Sequence, residues 1–106
     1  MPYIKEEDRH VLDARISQLA SAIRDLAKAY NYQGAFAGLL NYACTRLAMQ
    51  VIPARRYWSI ALVTGVFKNI ADEFYRRFGV PYEDEQVIKN GDVPEYLIPE
   101  SVGKDL

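Results

Sequence analysis

Between Trp58 and Val66 the chain is apolar almost all round a helix, and this stretch limits the possible folds most strongly. Ile60, Val63, Phe67, Ile70, Phe74 and Phe78 recur three or four residues apart, which lays one stripe along a helix. Trp58, Ala61, Leu62, Val66 and Ala71 widen that stripe. A helix apolar on most of its circumference belongs at the centre of an assembly. A chain of 106 residues has too few other helices to surround it. A second chain, or this chain's own tail, must therefore cover what remains open. The helix is predicted from about Arg55 to Phe78. Gly79 stands as its stop residue, with Pro81 two residues further on.

Two helices precede it. Leu12, Ile16, Leu19, Ile23, Leu26 and Tyr30 form a single stripe, predicting a first helix from about Glu6 to Ala29. Glu6, Glu7 and Asp8 in its first turn and Lys28 in its last both favour the helix dipole. Asn31-Tyr32-Gln33-Gly34 breaks the pattern and reads as a tight connection. Phe36, Leu39, Leu40, Ala43, Cys44, Leu47 and Val51 then predict a second helix from about Ala35 to Val51. Pro53 disfavours helical geometry at Ile52 and should close it. The expectation is an all-α fold: a three-helix up-down-up bundle, one domain over residues 1–106, oligomeric through helix 3.

Charge divides at Gly79. Residues 1–78 carry 11 Lys/Arg against 7 Asp/Glu, and residues 79–106 carry 2 against 7. The tail has Pro81, Pro94 and Pro99 and reads as a mostly non-helical acidic arm over residues 79–106. Asn90-Gly91 between Val87-Ile88-Lys89 and Asp92-Val93 signals either a short β-hairpin or a turn in an extended arm. Ser101 to Leu106 should fray. The arm is expected to pack on a basic helical body, in its own or a partner chain. Its Glu83, Asp84 and Glu85 would face Arg76 and Arg77, or a partner's Arg55 and Arg56. Exposed ion pairs contribute only about 0–1 kcal/mol each. The adhesion must then come from Tyr82, Val87, Ile88, Val93, Tyr96 and Leu97.

The net charge of −1 argues against a dedicated nucleic-acid binder. The single cysteine, Cys44, rules out an intrachain disulfide and suits a reducing, cytoplasmic setting as a small core residue. The acidic start lacks the apolar run of a signal peptide. No apolar run nears the roughly 18 residues that span a membrane, so no membrane partner is expected.

Little in the chain suggests catalysis. The carboxylates cluster as Glu6-Glu7-Asp8, Asp72-Glu73 and Glu83-Asp84-Glu85. A Mg²⁺-dependent nucleotide hydrolase needs acids three apart on facing helices. Helix 2 carries none, and adjacent Asp72 and Glu73 point different ways. A salt bridge from Asp72 or Glu73 to Arg76 or Arg77 fits better. The single His10 makes neither a triad nor a zinc site and reads as surface. Glycines form no phosphate loop. No catalytic residue, metal or cofactor is expected.

The basic residues say more. Arg46, Arg55, Arg56, Lys68, Arg76 and Arg77 are interleaved with Tyr57, Trp58 and Tyr75. Arginine with aromatics suits single-stranded nucleic acid and equally marks protein interfaces. Eight tyrosines and Trp58 favour protein contact. The leading reading is a non-enzymatic structural or interaction module that binds itself, or another protein, through Arg55, Arg56, Trp58, Tyr75, Arg76, Arg77, Tyr82, Glu83 and Asp84. A nucleic-acid-binding accessory protein comes second and a Mg²⁺-dependent hydrolase third.

Several strings resemble a family of small uncharacterised proteins of bacteria and their phages. These are Met1-Pro2-Tyr3-Ile4 with Asp8-Arg9, and Gly38-Leu39-Leu40-Asn41-Tyr42 with Thr45. Further on come Gly65 to Glu73-Phe74-Tyr75-Arg76-Arg77, Pro81-Tyr82-Glu83-Asp84 and Asn90-Gly91-Asp92-Val93. The resemblance covers roughly residues 1–93, with an Ala-rich junction between helices 1 and 2 and a chain running past Val93 as departures. It carries over no catalytic residue. It implies a small soluble helical protein, of phage or mobile-element origin, whose tail belongs to the domain.

Overall fold

The computed structural model describes residues 4–97. They are helical, with no strand among the described residues. The elements are α1 (Glu6–Lys28), α2 (Ala35–Val51), α3 (Tyr57–Phe74), a π-helical turn (Tyr75–Gly79), α4 (Val80–Asn90) and a short 3₁₀ turn (Pro94–Tyr96). The three long helices expected from the apolar stripes are present. Contacts divide the chain between Pro53 and Ala54 into two compact units.

In the first unit α1 packs against α2. Glu6, Glu7 and Asp8 occupy the first turn of α1 and Lys28 its last. Lys28 also lies 3.8 Å from Asp25, one turn back. The chain leaves α1 by tightened bonds, Ala29 N–H to Leu26 O and Tyr30 N–H to Ala27 O, both at 3.1 Å. Tyr30 and Tyr32 meet edge to face at 6.4 Å in the connection. α2 begins at Ala35, the single buried apolar residue among those described. It ends as Pro53 demands: Ile52 turns extended at φ −61°, ψ 124°.

In the second unit α3 starts at Tyr57, two residues later than expected, because Ser59 caps it from inside. The Ser59 hydroxyl lies 2.5 Å from the Ala54 carbonyl, to which it donates. Its oxygen accepts from the Arg56 N–H at 3.4 Å. Ser59 is fully buried, and this arrangement holds Arg56 extended as the residue before the first turn.

The expected stop at Phe78–Gly79 does not occur, and residues 80–90 of the arm are helical. Gly79 keeps right-handed helical angles, φ −75° and ψ −47°. The helix widens by one residue instead, and the Val80 N–H donates to Tyr75 O, five positions back. That wider turn leaves room for the Pro81 ring, which would meet the Arg77 carbonyl in an uninterrupted α-helix. Pro81 then lies in the first turn of α4. Glu83 in that first turn and Lys89 in the last suit the dipole, and Glu85 and Gln86 are strong helix formers.

The hairpin expected at Asn90-Gly91 is also absent, since Val87 to Asn90 are the last turn of α4. Gly91 acts as a helix stop. Its φ of 85° is the one positive value among the described residues, and its N–H bonds Val87 O at 2.8 Å. Asp92 Oδ1 then accepts from the Val93 N–H at 2.7 Å and turns the chain into Pro94–Tyr96. The rest of the arm, including Ser101 to Leu106, lies outside the described residues.

Candidate functional site

The apolar stripes are formed but scarcely covered. Among the described residues only Ala35 and Ser59 are buried. On α3 and the turn after it, Ile60, Phe67, Ile70, Phe74 and Phe78 all stay open, from 40% exposed at Phe67 to 70% at Phe78. Phe74 and Phe78 stack at 5.2 Å with their planes 22° apart, so the stripe crosses the π turn without losing its line.

The π turn brings together two residues singled out from the sequence. The Tyr75 side chain runs past Gly79, and its hydroxyl donates to Glu83 Oε1 at 2.7 Å. This bond to a carboxylate, with some desolvation and the Glu83 charge, raises the Tyr75 hydroxyl above its ordinary value of 10.0. Glu83 was expected to face arginine and faces tyrosine instead. Arg77 lies 3.4 Å from Glu73, one turn back, which is the ion pair expected of Glu73.

The remaining sequence candidates stay apart. Arg55 and Arg56 precede α3, Arg76 lies in the π turn, and none of these three side chains has an acidic partner among the described residues. Trp58, at the start of α3, and Tyr82, at the start of α4, are exposed. Asp84 is exposed beside Glu83 and shares none of its bonding. Among the described residues no three His, Cys, Asp or Glu side chains converge to hold a metal. His10 is exposed and 3.8 Å from Glu6, and Cys44 is a half-buried free thiol. No helix among the described residues is long and apolar enough to cross a membrane.

A groove of about 370 Å³ runs between α1 and α2. Leu19, Ile23 and Leu26 form one wall, and Leu39, Ala43 and Leu47 the other. Its polar groups come from Tyr42, Arg46 and Gln50 on α2. The Arg46 guanidinium donates to the Tyr42 hydroxyl at 3.0 Å, with Arg46 Cζ 5.8 Å from that ring's centroid. The sequence reading missed this site. Its signal is the four-residue spacing of Tyr42, Arg46 and Gln50 on a helix with no acid. Such an arrangement can take an apolar side chain along the groove and a carboxylate at Arg46; it offers no nucleophile or general base.

No curated protein matches the chain, and no solved structure does. A family described as a domain of unknown function, DUF6899, matches residues 1–93. The span agrees with the extent of the resemblance noted above and takes in α4 and Gly91, and the chain belongs to this family.

Proposed function

We propose that the chain is a non-enzymatic structural or protein-interaction module that self-associates through α3, in a reducing compartment such as the cytoplasm. The observation that supports this is the open stripe of Ile60, Phe67, Ile70, Phe74 and Phe78. Covering the exposed half of each would contribute about 1 kcal/mol. Two copies would then gain about 10 kcal/mol, within the range of roughly 4–15 kcal/mol that association costs.

Sedimentation velocity tests the reading. The wild-type chain should run well above the 12.1 kDa of one copy. Phe67→Glu with Ile70→Glu should bring it to one copy while circular dichroism keeps its helical signal. A wild-type chain that sediments as a monomer at every concentration would overturn the reading.

A second reading rests on Tyr57, 88% exposed, and Trp58 beside Arg55 and Arg56. Aromatics next to arginines suit the stacked bases and phosphates of a single strand. Quenching of Trp58 fluorescence by a single-stranded oligonucleotide should weaken steeply with salt and vanish in Arg55→Glu with Arg56→Glu. No quenching at low salt would sink it.

A further inference from the structure

We propose that the groove between α1 and α2 receives α4 of a second copy, with Ile88 lying in the groove and Asp84 or Glu85 on Arg46. This deepens the self-association proposed above and uses a different surface from the α3 stripe.

Charge and shape carry the assignment. Arg46 stands at a groove whose other lining groups are apolar or neutral, and its one bonded partner among the described residues is the neutral Tyr42 hydroxyl. Arg46 is exposed, and a guanidinium with only a neutral partner still favours a carboxylate. α4 offers two. Tyr75 already holds Glu83, whereas Asp84 and Glu85 are exposed and unpaired among the described residues. They lie four and three residues before Ile88, so all three share one face of α4. Ile88 is 86% exposed, the most open large aliphatic side chain among the described residues. A bare isoleucine flanked by two acids matches an apolar groove flanked by one arginine.

The lengths agree as well. α4 has 11 residues and is about 16 Å long at helical rise. The α2 wall from Leu39 to Gln50 spans about the same distance. Each copy has this groove and an α4, so a reciprocal exchange closes into a symmetric dimer with two equal contacts.

Complementary charge reversal tests this. The full-length chain carries either Arg46→Glu or Asp84→Lys with Glu85→Lys, and one variant bears a fluorescent label. Each variant alone should show self-association weakened by roughly tenfold or more in sedimentation velocity, since two contacts turn repulsive per dimer. An equimolar mixture should restore a labelled dimer of near wild-type affinity, because each reversed groove then meets a reversed α4 and each native groove a native one. Circular dichroism confirms that both variants stay helical. A wild-type dimer unmoved by either variant would overturn the inference and leave the α3 reading intact. Two weakened variants that fail to rescue one another would overturn it too. A monomeric wild-type chain would overturn both proposals.

Discussion

The Tyr75 hydroxyl reaches Glu83 Oε1, eight residues and 2.7 Å away, by running directly over Gly79. A Cβ at Gly79 would lie 2.9 Å from Tyr75 Cδ2, closer than carbon atoms tolerate. Gly79 is therefore kept by a neighbour's ring and not by its backbone, whose angles suit any residue. The expected consequence is a change of sign. In the wild-type chain Gly79→Ala should cost about 1 kcal/mol through the displaced ring. In a Tyr75→Ala background the same change should stabilise by about 1 kcal/mol, the usual gain of alanine over glycine in a helix. Urea denaturation of the four chains measures both; equal effects in the two backgrounds would refute the ring contact.

The Tyr75–Glu83 bond should also be visible in its titration. The Tyr75 pKa is raised above 10.0, with the Glu83 hydrogen bond as the largest cause. A raised acid favours its protonated form in the fold. Its stabilising effect is thus complete below pH 10.0 and lost as pH rises through the raised value. We expect Glu83→Gln to lower the Tyr75 titration in ring-carbon NMR and to leave the Arg77–Glu73 pair undisturbed. An unshifted titration would show that the bond does not persist in solution.

Gly91 makes the opposite kind of demand from Gly79. Nothing lies within 4 Å of a Cβ built there, but its φ of 85° strains any side chain. Gly91→Ala should cost about 1 kcal/mol. It should speed hydrogen exchange in the last turn of α4, from Val87 to Gly91, without touching α1 or α2.

Ser59→Ala removes a buried hydroxyl that serves both the Ala54 carbonyl and the Arg56 N–H. We expect a loss of about 1–2 kcal/mol. Fraying should be confined to the start of α3, readable as faster exchange at Ile60, whose N–H bonds Arg56 O at 2.9 Å. A loss spread over the whole chain would mean that Ser59 does more than cap.

Local rules accounted for much of this architecture. The stripe from Leu12 to Leu26 and the acids at Glu6 to Asp8 are sufficient for α1, and Pro53 closes α2 at its expected end. Pro81 misled because the same rule was applied where the chain has another way out. At Pro53 the preceding residue turns extended, whereas before Pro81 the helix widens by one residue and continues. That choice depends on the ring of Tyr75 and on the helix formers after Pro81, and no single-residue preference carries it. The tail's acids were legible as candidates from the sequence. Their separation into Glu83, held by Tyr75, and Asp84 and Glu85, unpaired among the described residues, was not.

By itself the sequence determined that the chain is helical, where α1 and α2 begin and end, and which apolar stripes its helices carry. Periodicity and proline geometry act over a few residues, and so they can be read directly. Only the tertiary structure decided that α3 passes through a π turn into α4, that Gly91 caps a helix instead of turning a hairpin, and that Arg46 stands beside an apolar groove. Each of these depends on which side chains share a space. The eight-residue reach from Tyr75 to Glu83 follows no regular helical spacing and exists only because the turn between them is wide.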